Sequence, residues 1–318
     1  MRAYQTLSFD TAAALSEVEA PSPAKGEVLL QIDACGLNFA DLLMAKGTYQ
    51  DTPEPPFTLG MEVCGTVLAQ GAGVVSPPIG TRVAVLGGQG GLAEQGVFPA
   101  ALCQIVPDGM TAPQAAGFQV AYGTSHLALT RRARLRAGET LLVLGAAGGV
   151  GLTAVEIGKA LGARVIAVAR GAEKCAIAAK AGADHTFDTS ADITAEVKAL
   201  GGADVVYDPV GGDAFTAALR ATNREGRIIT IGFASGDVPQ IRANHMLVKN
   251  IDVIGFYWGG YLKFNPEALT QSMGELFEMF SQGRLSPHVS HVLPLARAAD
   301  AMELLRSRKS TGKVVVTP

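Results

Sequence analysis

Four glycines in seven residues, Gly145, Gly148, Gly149 and Gly151, follow an apolar run ending at Leu144 and open a helix-like stretch that closes at Leu161-Gly-Ala163. Glycines at this spacing bare backbone N–H groups at a helix N-terminus. Unpaired donors and the positive end of the helix dipole attract a pyrophosphate there. Gly148 lets backbone approach a phosphate, and Gly151 lets the helix pack on the strand. Ala146 stands where the motif usually has its first glycine. A second apolar run, Arg164–Ala169, follows directly, as a βαβ unit requires. The stretch predicts a dinucleotide site. The plainer alternative is a tight turn that binds nothing.

The end of that second strand selects the dinucleotide. An Asp or Glu there, about 20 residues beyond the glycines, accepts hydrogen bonds from the adenosine ribose of NAD. Ala169 occupies the position, followed by Arg170 and, one turn on, Lys174. Losing the carboxylate removes repulsion toward a 2′-phosphate, and two cations add attraction. NADPH is expected over NADH, although Glu173 sits between the cations and blunts the field; the plainer alternative is that Arg170 and Lys174 are solvated surface charges.

These residues need elements to hold them. Residues 1–117 read as β-rich, with runs such as Val28–Ile32, Gly65–Leu68 and Arg82–Leu86 divided by Gly and Pro clusters. A small barrel or rolled sheet is expected, with one helix near Asn38–Ala45. From residue 118 strands near 141–144, 164–169, 204–207, 227–231 and 251–256 alternate with helices, the rhythm of a doubly wound parallel sheet. Pro266–Gln282 reads as an amphipathic helix with Leu269, Met273, Leu276, Phe277 and Phe280 on one face. A helix over Leu295–Arg308 and a lone strand at Val314–Val316 complete the chain. That strand needs a sheet to join and is expected to return to the first domain, making it discontinuous.

Composition narrows the classes. With 318 residues, 48% hydrophobic and 17% charged, the chain is long enough for two domains with sizeable cores. A net charge of −3 argues against a nucleic-acid partner. No apolar run approaches the roughly 20 residues that span a bilayer, so no membrane partner is expected. The first residues lack the apolar core of a signal peptide, and the four cysteines are far apart. A cytoplasmic location without disulfides is expected. The five histidines show no ligand spacing, and His126 reads as packed in a helix.

Several segments together resemble the medium-chain dehydrogenase/reductase superfamily and, within it, the zinc-free NADPH:quinone oxidoreductases of the ζ-crystallin-like group. They are Ala34–Asn38, Asp41–Tyr49, Leu59-Gly-Met-Glu62, Gly138–Lys159, Asp208–Gly212, Val248-Lys-Asn250 and Thr311-Gly-Lys313. The resemblance runs in order along essentially the whole chain. It implies an α/β fold: a Rossmann doubly wound parallel sheet over 118–257, plus a β-rich GroES-like barrel as catalytic domain over 1–117 and 258–318. Zinc-dependent relatives hold their catalytic metal with Cys, His and Cys or Asp. Those positions here are Asn38, Met61 and Ala116, none a competent ligand, so no metal is expected.

Without a Lewis acid, the acceptor must be reducible with little electrophilic help. The resemblance implies a quinone or, as the alternative, an enone, alkenal or enoyl thioester. A non-catalytic NADPH-binding role is a third reading. Asn38 and Tyr49 are the implied catalytic residues. Asn38 donates its amide to the nicotinamide ribose or the substrate oxygen, or else stabilises a turn. Tyr49 lines the substrate cleft or is a packed aromatic rim. Asp41 reads as structural. The implied cofactor-binding set is Asn38, Thr124, Ala147, Gly148, Gly149, Val150, Arg170, Lys174, Val210, Phe233, Ser235, Phe256 and Lys313. Lys313 reaches the cofactor ribose or phosphate, or is a surface charge. Two departures stand out: Glu156 where the group usually has Gln, and Thr189 where members often place a Tyr near the adenosine phosphate. Trp258 and Tyr261 wall the substrate pocket or form a subunit contact. The apolar edge Ile251–Phe256 is expected to pair with its twin in a homodimer.

Overall fold

Strand patterning accounts for the first part of the computed structural model, which describes residues 1–318. The chain runs β1 (Arg2–Thr6), β2 (Ala14–Glu17), β3 (Glu27–Gly36), α1 (Phe39–Met44), β4 (Phe57–Thr58), β5 (Glu62–Gln70), β6 (Arg82–Leu86), β7 (Gln95–Pro99), β8 (Gln104–Ile105) and α2 (Ala112–Ala116). In β3 buried and part-exposed residues alternate until Ala34, then three successive residues are buried. One face of β3 therefore meets the core along its length, and its end is enclosed.

An α/β segment follows: α3 (Gln119–Leu127), β9 (Thr140–Leu144), α4 (Gly149–Ala160), β10 (Arg164–Ala169), α5 (Ala172–Lys180), β11 (His185–Asp188), α6 (Ile193–Ala199), β12 (Ala203–Asp208), α7 (Gly212–Ala221), β13 (Thr222–Thr230), α8 (Ala243–Lys249), β14 (Asp252–Gly255), α9 (Tyr261–Phe264) and α10 (Pro266–Ser281). The chain ends with β15 (Val289–Pro294), α11 (Ala298–Arg306) and β16 (Lys313–Thr317).

Two units result. The first comprises Met1–Val120 and Pro287–Pro318. It holds a three-stranded sheet ordered β2-β1-β4 and a larger sheet ordered β15-β16-β3-β5-β6-β8, with β7 also on β3. The terminal strand does return: β16 lies between β15 and β3, pairing antiparallel with Cys35 and Gly36. Its first four residues, Lys313–Val316, are buried.

The second unit, Ala121–Ser286, holds a six-stranded sheet ordered β11-β10-β9-β12-β13-β14, every pair parallel. Counted within the unit this is the order 3-2-1-4-5-6 of a Rossmann sheet. All of β9 is buried, as is β10 beyond Arg164, because helices cover both faces of a parallel sheet. No helix is long and apolar enough to cross a membrane.

The second boundary falls after Ser286 and not after 257. Residues beyond β14 belong with the sheet because they pack on α3. The Trp258 ring lies where a Cβ on Gly123 would come within 2.7 Å, and His126 Nδ1 sits 2.8 Å from Ser272 Oγ of α10. The buried face of α10 differs slightly from the expected one. Ser272 and Met279 are buried, whereas Phe277 and Phe280 are only half-buried.

Candidate functional site

In the second unit the site grows from the turn after β9. Gly145 has φ +59, and Gly148 N–H closes the turn on Gly145 O at 2.9 Å. Gly148 is the N-cap of α4 and contributes no side-chain cap. Helix geometry leaves the first amides, from Gly149 on, without intrahelical partners, so they stay open to a ligand. Gly151 is required by packing: a Cβ there would lie 2.2 Å from Gly145 O. Ser125 Oγ holds the start of α4 to α3, donating to Val150 O at 2.9 Å and lying 3.0 Å from Tyr207 Oη. Thr124, one residue earlier, is buried.

Two neighbouring loops join this turn. Asp208, at the end of β12, accepts Val210 N–H at 2.7 Å and Gly211 N–H at 3.0 Å. Burial raises its carboxyl pKa, opposed by those two N–H groups. The bonds set Val210 against the glycine turn, where its Cγ2 would lie 3.0 Å from a Cβ on Gly145. Ala234 and Ser235 donate backbone N–H groups to Pro209 O and Val210 O at 3.0 and 2.9 Å. Val210, Phe233 and Ser235 are thus drawn together beside the Gly145–Gly151 turn. This is the carboxyl edge of the sheet at its switch point, where ligands bind in such folds. Phe256 follows β14, its N–H bonded to Thr230 O at 3.2 Å and its ring 5.7 Å from that of Tyr261.

Arg170 and Lys174 lie past the end of β10. Partial burial lowers the Lys174 pKa, and the like charge of Arg170 lowers it further, against Glu173. The two cations therefore feel one another, as a shared anion site requires. A carboxylate absent from the sequence reading also stands here. Asp188, ending β11, accepts N–H groups from Gly171 and Ser190; the Ser190 side chain first, and then those N–H groups, hold its carboxyl below the usual range.

In the first unit the sequence reading named Asn38 and Lys313 but passed over their common partner, Glu62. Lys313 Nζ donates to Asn38 Oδ1 at 2.7 Å and to Glu62 Oε1 at 2.6 Å. Asn38 Nδ2 donates to the same Glu62 Oε1 at 2.9 Å. Glu62 Oε2 accepts Val120 N–H at 3.0 Å. Glu62 is 1% exposed and Lys313 6%. Lys313 is therefore not a surface charge; its ammonium is engaged with Asn38 and Glu62. The signal lay in the Glu62 of Leu59-Gly-Met-Glu62, but its partner is 251 residues away.

Asp41 adds a second buried carboxyl. Its Oδ2 accepts Asn38 N–H at 2.7 Å, while Oδ1 is buried with no partner in hydrogen-bonding geometry. Burial pushes its pKa up to about 6, against the Asn38 N–H and the Lys313 charge. Tyr49 lies beyond α1, half-buried, its carbonyl held by Thr52 Oγ1 at 2.7 Å.

The donor set does not fit zinc. Asn38 offers an amide committed to Lys313 and Glu62, Met61 a thioether and Ala116 a methyl group. Nowhere do three His, Cys, Asp or Glu side chains converge as a metal site needs.

Residues 24–108 match the family model described as an alcohol dehydrogenase GroES-like domain, and residues 149–278 the one described as a zinc-binding dehydrogenase. The chain is 40% identical over 297 residues to quinone oxidoreductase-like protein 2 homolog of Nematostella vectensis, spanning 91% of this chain and 81% of that protein. It is 34% identical to the quinone oxidoreductase of Thermus thermophilus, solved alone and with NADPH, with a TM-score of 0.88 and full coverage of both chains. The Escherichia coli quinone oxidoreductase solved with NADPH is 29% identical, with a TM-score of 0.91 and full coverage of both chains.

Proposed function

Because the chain belongs to the zinc-free quinone oxidoreductase family of the medium-chain dehydrogenase/reductases, we propose that it moves a hydride from NADPH to a small conjugated carbonyl acceptor, foremost a quinone, with no metal taking part. The observation that carries the reading is the bare N-terminus of α4, where Gly148 leaves the first helix amides uncapped. NADPH, when bound, supplies the hydride, and a solvent proton completes the reduction of quinone to hydroquinone.

The chain's own residues bind and orient. Ala147, Gly148, Gly149 and Val150 present backbone to the pyrophosphate. Arg170 and Lys174 hold the 2′-phosphate. Val210, Phe233, Ser235, Thr124 and Phe256 shape the path of the dinucleotide. Asn38 directs its amide at the nicotinamide ribose or the acceptor oxygen, and Tyr49 packs against the acceptor. The lack of zinc ligands at Asn38, Met61 and Ala116 favours acceptors whose own conjugation takes up the charge.

NADPH oxidation with 1,4-benzoquinone, 9,10-phenanthrenequinone, an enone and crotonyl-CoA tests the reading. Turnover is expected to be fastest with a quinone, with a higher kcat/KM for NADPH than for NADH. Fastest turnover of the enone or thioester selects the alkene-reductase alternative. Tight NADPH binding without any turnover would overturn catalysis altogether.

The protein is further proposed to be a homodimer through the β14 edge. That strand has a sheet neighbour on one side only, and α8 exposes Leu247 and Val248 at 76% and 67%.

A further inference from the structure

We infer that Glu62 and Lys313 are positioning residues that decide which way the Asn38 amide is turned, and that the reaction uses this orientation. The inference rests on the reading of Asn38 just proposed. An amide's oxygen and nitrogen are nearly the same size, so sterics alone leave two orientations open. Partner chemistry closes one of them here. An ammonium can only donate, and a carboxylate can only accept.

Lys313 Nζ lies 2.7 Å from Asn38 Oδ1, and Glu62 Oε1 lies 2.9 Å from Asn38 Nδ2. The 2.6 Å contact between Lys313 and Glu62 closes the ring. Turning the amide over would set its NH2 against the ammonium and its oxygen against the carboxylate. Two charge-assisted bonds would become two repulsions. Both charged groups are more than nine-tenths buried, so water does little to soften that exchange.

The frame around the ring is also held. Asp41 Oδ2 takes the Asn38 backbone N–H at 2.7 Å, and Val120 N–H locates Glu62 Oε2 at 3.0 Å. Glu62 has an acceptor oxygen for each of its two tasks: Oε2 serves Val120, while Oε1 serves Asn38 and Lys313. Asn38 itself is half-buried. Its remaining Nδ2 proton has only Gly36 O nearby, at the 3.5 Å limit of a hydrogen bond. Asn38 therefore offers a ligand oxygen an N–H of preset direction, which costs no reorganisation when the ligand arrives.

A double-mutant cycle tests this, with 1,4-benzoquinone as acceptor. E62Q is expected to lower kcat/KM about 10- to 100-fold, the scale of an ångström-sized misplacement. In an N38A background the same change should cost less than about twofold, since no amide remains to be turned. NADPH affinity, followed by its fluorescence, should change no more in E62Q than in N38A, because Glu62 acts through that amide. If E62Q does not fold, K313Q takes its place in the cycle. Equal losses from E62Q with and without Asn38 would overturn the positioning role while leaving the reading of Asn38 intact. An unchanged kcat/KM in N38A would instead overturn the reading of Asn38 and the inference with it. A measurement independent of turnover judges the orientation: in 1H–15N spectra one Asn38 side-chain proton should exchange slowly in wild type and quickly in E62Q. Fast exchange in wild type, as for an exposed asparagine, would overturn it.

Discussion

Asp41 and Glu62 place two carboxyl groups around one ammonium, Lys313, in a part of the core that water does not reach. Asp41 is the member left short. Its folded-state pKa is pushed up to about 6 from 3.8, chiefly by burial. A carboxyl raised on folding stabilises the native state fully below its unfolded pKa and loses that contribution as pH rises through the folded one. The loss here spans about pH 4 to 6 and amounts to about 3 kcal/mol. An asparagine in place of Asp41 would keep the acceptor for Asn38 N–H without the charge. We expect D41N to melt above wild type at pH 8 and to lose that advantage by pH 4. Parallel melting curves for the two proteins across this range would refute it. At this scale the sequence was legible where chemistry was local. The glycine turn, Ala169 and Arg170 lie within one βαβ unit, and their spacing alone pointed to a phosphate. Glu62 was illegible because its meaning comes from Lys313, and no pattern along the chain connects positions 251 residues apart.

The turn from β9 into α4 concentrates constraint in two glycines of different kinds. A Cβ on Gly151 would sit 2.2 Å from Gly145 O, whereas one on Gly148 would meet only that oxygen, at 3.3 Å. Gly148 also has φ −78 and ψ 174, which any residue can adopt. G151A should therefore lower stability by about 2 kcal/mol or more through overpacking. G148A should melt close to wild type yet bind NADPH about tenfold or more weakly, because its methyl crowds the open amides. Thermal melting and NADPH titration separate the two effects, and a strongly destabilised G148A would contradict the assignment. Farther along α4, Glu156 accepts the Tyr122 hydroxyl and the Ser286 N–H, the latter at 2.9 Å. Burial raises its carboxyl pKa, against those two donors. A glutamine has one acceptor oxygen where this position meets two donors, which gives the departure to Glu a physical reason. Periodicity found the strands well, since buried parallel strands are unbroken apolar runs; β10 is Arg164–Ala169, as read. It did less well for β13, which begins at Thr222 through the polar stretch Asn223–Glu225. That stretch is a bulge: Thr222 and the residues from Arg227 on pair with β12, and apolar spacing marks only the second part.

Across the molecule, the sequence foretold a discontinuous first unit but put its second boundary at 257/258 in place of 286/287. The break in rhythm after β14 looked like a domain end, and only packing of Trp258 and α10 on α3 shows otherwise. The unpaired edge of β14 and the exposed Leu247 and Val248 lead to a test at this scale. Light scattering at micromolar concentration should give twice the chain mass, and V248K should shift it toward one chain. A wild-type monomer would refute the edge-paired dimer. The position of β16 bears on how the chain is made. Lys313 follows Asn38 by 275 residues. At ordinary translation rates of about 5–20 residues per second, roughly 15–55 seconds separate the two. For most of that interval Asn38, Asp41 and Glu62 are without their ammonium, and the central place beside β3 stands empty. The entire second unit is synthesised meanwhile and has its whole sheet to fold with. The residues translated first are thus among the last to reach their native environment.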